Sequence, residues 1–410
     1  SIKRFQYKEF LFTDRYDSFM TNFSNNLIND FPEYLFNKIN TQKLEARKNG
    51  RDVIDLGYGN PDIPTHSLVV DKLIESAQNK KNHKYSVSKG ILGLRSAMKN
   101  RYKRIYDIDL HEEDNIVNTI GSKEGLTHLL MSVLDKGDNI VIPDPSYPIH
   151  HFAPLIAGGT PIKIKCLDVD QFLNDLTEIL NTKKVKVVLI SFPHNPTTLT
   201  VTQEFYDRLV FLARTHDFLI VNDFAYSDVF FEGQRPPSLL NSDKEFSHSV
   251  ELYSLTKGYS MAGWRVGFAL GNKEAIQSLT KLKSYIDYGT FQPIQIASAV
   301  AINDLDSYPL EVSKTYKDRR LLVVENLEAF GFSVYASDAT MFVWAKIPDF
   351  YEKKSMDFSL EILKTSNVAI SPGIGFGSEG EGFIRIALVE NKQRIRQAMK
   401  NMQIFFDDKI

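Results

Sequence analysis

Val250-Glu251-Leu252-Tyr253-Ser254-Leu255-Thr256-Lys257-Gly258-Tyr259-Ser260-Met261-Ala262-Gly263-Trp264-Arg265-Val266-Gly267 passes from a short apolar segment into a turn rich in hydroxyls and glycine. It leaves that turn through a second strand-like segment, residues 267–270. Short, β-branched segments of the same kind occupy residues 115–120, 139–142, 161–166, 185–192 and 218–222. Between them lie stretches of helical length. Leu126, Leu129, Leu130, Val133 and Leu134 recur at the spacing of one helix face, and residues 203–216 are long enough for another helix. This alternation predicts an α/β domain whose mostly parallel sheet is covered on both faces. Beyond residue 310 the pattern changes. A helix-like run over 310–329 is followed by strands at 341–346, 368–371 and 383–388 and a helix over 392–405, which predicts a smaller α+β domain.

Ligands of open α/β sheets bind at the carboxyl ends of the strands. Gly121-Ser122-Lys123 follows the strand at 115–120 and opens a helix, where free N–H groups and the positive dipole end suit a phosphate. His194-Asn195-Pro196-Thr197, then Asp223 with Tyr226, then Ser254 to Lys257 and Arg265 follow later strands. One amine, one carboxylate and a phosphate seat are the groups that pyridoxal 5′-phosphate requires. A lysine bonds its aldehyde, and an acid pairs with its ring nitrogen.

The stretch from Ser254 to Gly267 resembles the lysine signature of the class I/II aminotransferases of fold type I, and further segments follow in that family's order. Gly59-Asn60-Pro61-Asp62 resembles its glycine-X-proline-aspartate loop. Tyr85, Gly90, Leu94 and Arg95 resemble its tyrosine-to-leucine-arginine block. Asp144-Pro145-Ser146-Tyr147-Pro148 resembles the segment whose aromatic stacks on the pyridine. Phe383-Ile384-Arg385-Ile386-Ala387 resembles the strand that carries the substrate-carboxylate arginine. The resemblance runs from about residue 31 to the C-terminus. It implies a large domain with a mostly parallel seven-stranded sheet over 61–309, a smaller α+β domain from 31–60 and 310–410, and an N-terminal arm over 1–30.

The resemblance also implies roles. Lys257 is the Schiff-base lysine and proton carrier, Asp223 the partner of the ring nitrogen, and Tyr147 the stacking ring. Asn195 and Tyr226 bond the ring oxygen. Ser122, Lys123, Ser254, Arg265 and a partner subunit's Tyr85 anchor the phosphate. Arg385, with Asn195 and the Gly59 backbone, holds the substrate α-carboxylate. The expected activity is ping-pong transfer of an amino group between an L-amino acid and a 2-oxo acid by a homodimer with shared active sites. Residues 120–126, 283–291, 344–348 and 371–377 are most similar to bacterial alanine (glutamate–pyruvate) aminotransferases. Diaminopimelate and aspartate aminotransferases, and a C–S lyase on the same fold, stand as alternatives. A lyase would release ammonia without a second 2-oxo acid.

Other motifs carry less. Gly375-Phe376-Gly377-Ser378-Glu379-Gly380 matches a dinucleotide-binding glycine pattern but leads into a strand, where that fingerprint needs a helix. Ser254-Leu255-Thr256-Lys257 matches the S-x-x-K of β-lactamases, whose S-D-N and K-T-G partners this chain lacks. His150-His151 is adjacent and not at a chelating spacing. Across 410 residues, 49 basic and 51 acidic side chains give a net charge of −2, which offers no field for nucleic acid. A single cysteine, Cys166, excludes an internal disulfide and any cysteine-cluster zinc or iron–sulfur site, and fits a reducing compartment. No apolar run reaches the roughly 20 residues that span a bilayer. A cytoplasmic protein without nucleic-acid or membrane partners and without a metal is expected.

Overall fold

A computed structural model describes residues 23–29, 31, 35–231, 233, 235–335 and 338–407. Leu35–Ile410 forms one compact unit. In the other, Ser1–Tyr34, the described residues hold a short helix, Asn26–Asn29. Most of the arm expected over residues 1–30 lies outside the described residues.

In chain order the strands of the larger unit are β1 (Ile54–Asp55), β2 (Ile116–Thr119), β3 (Asn139–Asp144), β4 (Thr160–Lys165), β5 (Val187–Ile190), β6 (Leu219–Asp223), β7 (Ser249–Ser254), β8 (Gly267–Gly271), β9 (Ser333–Val334), β10 (Phe342–Lys346), β11 (Val368–Ala369), β12 (Ser371–Pro372) and β13 (Phe383–Ala387). Seven form the expected large sheet, in the order β2-β8-β7-β6-β5-β3-β4. β8 runs antiparallel to β2 and β7, and the other pairs are parallel. An antiparallel sheet, β12-β13-β10-β9, and a parallel pair, β1-β11, complete the architecture.

The continuous apolar runs of the large sheet follow from burial on both faces. Ile140, Ile142, Val187 and Leu189 pack with Leu126, Leu129 and Leu130 of helix Gly121–Val133. The alternate residues Val141, Val188 and Ile190 pack with Phe172, Leu176 and Leu209 on the opposite face. Each of these fully buried leucines contributes about 1.5–3 kcal/mol. Helix Gln203–His216 has the bounds its pattern predicts, and the Thr202 side chain caps it by accepting the Phe205 N–H. The expected helix at 310–329 begins earlier, at Tyr308, because Pro309 is pre-organised for a first turn.

The strand expected over 368–371 is divided. Val368 and Ala369 pair with β1, whereas Ser371 and Pro372 pair with β13. The buried Ile370 lies between two sheets, so its apolar character reflects a crossing rather than one continuous ladder.

The register sets the site. Ser254 lies opposite Gly267, Thr119 opposite Gly267, Asp223 opposite Leu252, and Ile190 opposite Asn222. The ends of β2, β5, β6 and β7 and the start of β8 therefore share one edge of the sheet.

Candidate active site

At one end of this edge, helix Gly121–Val133 starts without a side-chain cap, because its N-cap residue is Ile120. Its first N–H groups thus lack the partner a Ser or Asp would supply. Gly121 has φ +76°, and a Cβ there would stand 2.3 Å from Arg265 Nη2. Only glycine lets the guanidinium lie so close to the helix start. Arg265 itself has φ +56° and donates from Nη1 to the Ala262 carbonyl at 3.0 Å. The Ser254 hydroxyl, at the end of β7, donates to Thr256 Oγ1 at 2.8 Å and accepts the Thr256 N–H at 3.1 Å. Ser122, Ser254 and Arg265 thus gather around one helix start. Lys123 is exposed, and its ammonium lies 5.9 Å from the centroid of the Tyr147 ring.

Lys257 stands at the middle of the edge. Its Nζ donates to the Gly59 carbonyl at 3.0 Å and lies 5.7 Å from the centroid of the Tyr226 ring. Burial lowers its pKa to about 7, and the charges of Arg385 and Arg265 push it in the same direction. Tyr226 is buried, which raises its phenol well above the usual range and keeps it protonated. Its ring meets Phe342 edge-on.

Asp223 ends β6. Its Oδ2 pairs with His150 Nε2 at 2.9 Å, and its Oδ1 is buried without a hydrogen-bond partner. A buried carboxylate oxygen left bare is costly, which marks it as a group awaiting a donor. His150 lies one turn into helix Pro148–Ile156, whose N-cap is Tyr147. Behind it, His194 is buried next to His150 and His151, and burial foremost lowers its pKa to about 3, so it adds no charge.

The other end of the site is Arg385 on β13, which pairs with Trp344 and Ser371. Nη1 donates to Asn195 Oδ1 at 2.8 Å, and Nη2 donates to the Gly57 carbonyl at 2.9 Å. Its Cζ lies 4.1 Å from the Phe342 ring centroid and 4.5 Å from that of Phe376. Two aromatic faces thus hold the guanidinium plane, a cation–π arrangement. Gly59 lies against Phe342, where a Cβ would come within 2.9 Å of the ring.

Tyr85 is not brought to this cluster within the chain. It stands 85% exposed beside Tyr288, with ring centroids 4.8 Å apart. Sequence reasoning did not assign His150, Gly57, Phe342 or Phe376. In the sequence His150 stands out only as half of an adjacent histidine pair without chelating spacing. Its place three residues after Tyr147, just inside a proline-started helix, was the available signal.

The sequence model described as aminotransferase class I and II matches residues 51–401. The chain belongs to this family. It is an aminotransferase. It is 40% identical to the glutamate–pyruvate aminotransferase AlaC of Escherichia coli (strain K12), over 92% of this chain and 93% of that one. It is 37% identical to the LL-diaminopimelate aminotransferase of Moorella thermoacetica, over 92% and 96%. The aspartate aminotransferase of Thermotoga maritima superposes with a TM-score of 0.86 at 27% identity, covering 94% of this chain and all of that one. The aminotransferase therefore has fold type I, as expected. Members of the family depend on pyridoxal phosphate. The donor set here fits that group: a half-buried lysine with a lowered pKa, a bare carboxylate oxygen, and an uncapped helix start beside a guanidinium.

Proposed function

We propose that the enzyme exchanges amino groups between alanine or glutamate and pyruvate or 2-oxoglutarate, using pyridoxal phosphate. The observation that carries the cofactor reading is the partnerless Oδ1 of Asp223, backed by His150 and set on the same sheet edge as Lys257. The substrate pair is supported by the similarity to AlaC, named a glutamate–pyruvate aminotransferase. Relatives named LL-diaminopimelate aminotransferases keep that substrate as the second reading.

When bound, the cofactor supplies an aldehyde for the amine and an electron-withdrawing ring. Lys257 is neutral in a large fraction of molecules near pH 7, so it can act as nucleophile and then carry the proton to and from the substrate Cα. Asp223 would hold the proton on the ring nitrogen, with its carboxylate oriented by His150. Tyr147 would pack on the ring, and Tyr226 and Asn195 would supply donors for the ring oxygen. Arg385 takes the α-carboxylate through its planar fork, aided by Asn195 and the Gly59 backbone. The N–H groups of Gly121 to Lys123, with Ser254 and Arg265, hold the phosphate.

On this reading residues 61–309 form the cofactor domain, and 31–60 with 310–410 the smaller one. The enzyme is a homodimer in which a partner's Tyr85 reaches the phosphate. The exposed Tyr85, Val87, Leu92, Tyr285 and Tyr288 support such a covered face. On the same reading the enzyme is cytoplasmic.

A single-turnover panel tests the reading. Cofactor-loaded enzyme is mixed with alanine, glutamate, aspartate, diaminopimelate or cystathionine without a keto acid, and the cofactor absorbance is followed. Conversion to the amino form by alanine and glutamate, reversed by pyruvate and 2-oxoglutarate, is expected. Conversion by diaminopimelate alone would transfer the assignment to that substrate. Ammonia from cystathionine without conversion would make it a lyase.

A further inference from the structure

Behind the helix start at Gly121 lies a charge cluster to which the proposed reaction assigns no role. Glu124 Oε2 accepts the Ile120 N–H at 2.6 Å, and its Oε1 meets His128 Nδ1 at 2.7 Å and Lys283 Nζ at 3.2 Å. Lys283, on helix Lys273–Ile286, is fully buried and bonds Asp287 through both carboxylate oxygens, at 3.1 and 3.3 Å. Asp287 Oδ1 also accepts the Gly289 N–H at 2.7 Å, and its main-chain carbonyl accepts the Ser88 hydroxyl. The acceptor atoms of Glu124, His128 and Asp287 lie close enough to hold a metal ion. The ammonium of Lys283 already bonds both carboxylates there, so the cation of this cluster is the lysine.

The geometry gives Glu124 two opposing effects on the helix start. By holding the Ile120 N–H it fixes the backbone that enters the Gly121 turn, and so aims the uncapped N–H groups that follow. Its negative charge, one turn into the helix, opposes any anion seated on those groups. A lysine with no exposure is rare unless paired, and this one is paired with the carboxylate whose charge would do the harm. We infer that Lys283 is a positioning residue for the phosphate end of the site: its charge, shared with Asp287, offsets that of Glu124 and orients it, so that the helix start at Gly121–Lys123 retains a phosphate-bearing cofactor. This rests on residues 121–123 being the phosphate seat.

Apoenzyme is titrated with pyridoxal phosphate, with phosphate-free pyridoxal, and with inorganic phosphate as competitor. Lys283→Met is expected to weaken pyridoxal phosphate and inorganic phosphate by about tenfold or more and to change pyridoxal by no more than about twofold. Glu124→Gln keeps an acceptor for Ile120 and removes the charge. It is expected to hold phosphate selectivity within about threefold, and Lys283→Met/Glu124→Gln to recover most of the loss. A general structural role would weaken both cofactor forms alike. Equal losses in Lys283→Met, or a tenfold loss of selectivity in Glu124→Gln, would overturn the inference. If Lys283→Met does not fold, the other two variants decide it. If the wild type shows no preference for pyridoxal phosphate and no competition by inorganic phosphate, the seat itself is misassigned and the inference falls with it.

Discussion

The two ends of the proposed site, one for a phosphate and one for a carboxylate, are built differently. The phosphate end is carried by neighbouring strands of one sheet: an uncapped helix start and a glycine after β2, and the turn between β7 and β8 with the Ser254 and Arg265 side chains. The carboxylate end is assembled from Gly57, Asn195, Phe342, Phe376 and Arg385, drawn from segments separated by up to 328 residues. The first end is fixed by the sheet edge that carries it. The second exists only when separate sheets and loops have packed. Lys257 joins them, since its amine rests on Gly59 while charges from both ends lower its pKa.

Removing the junction should have the largest effect. Lys257→Ala is expected to lower turnover by about 10⁴-fold or more, because nucleophile and proton carrier are lost together. Substantial turnover without an added amine would reject the assignment. Arg385→Lys probes the distant end alone. It keeps the charge and loses the fork, so kcat/KM for amino acids should fall by about a hundredfold, while cofactor affinity stays within about twofold. A matching loss of cofactor affinity would show that the ends are not separable.

The pH dependence of cofactor uptake sharpens the comparison. Only the neutral amine attacks the aldehyde, so the rate for apoenzyme should rise with pH up to about 7, by about tenfold per unit well below it, and then level off. Arg385→Leu removes a charge that lowers this pKa, and the midpoint should move upward. An unchanged midpoint would mean that the far end does not reach the amine. The smallest effect is expected from Phe342→Leu. Loss of one aromatic face should raise KM for the amino acid about threefold to tenfold, with no change in cofactor affinity.

The same division governs how much of the site the sequence revealed. Strands, their order along the chain and the polar residues at their ends were legible, because buried parallel strands are apolar throughout and their ends must turn. Lys257, Asp223, Ser254, Arg265 and the Gly121 helix start follow from that pattern, and the register then aligns them on one edge. Arg385 was reached through resemblance, since alternation on an isolated strand does not distinguish a ligand-binding guanidinium from a surface one. Phe342 and Phe376 were hidden because an aromatic that walls a guanidinium reads as core. His150 was hidden because its partner, Asp223, lies 73 residues away. The division of residues 368–371 between two sheets was likewise invisible, as both pairings accept the same apolar residues.

Two basic side chains of the proposed site rest on main-chain carbonyls two positions apart, Arg385 on Gly57 and Lys257 on Gly59. No amino-acid replacement deletes a carbonyl. A saturation scan of residues 57–60 would therefore report steric tolerance, with the exposed Tyr58 the most permissive of the first three positions, and would miss the polar contribution altogether. That contribution would emerge only through backbone chemistry. Ester linkages placed after Gly57 and Gly59 by semisynthesis would weaken these acceptors in turn without adding an atom that Phe342 must accommodate, each also removing one N–H, that of Tyr58 to Asp55 or that of Asn60 to the Tyr58 carbonyl.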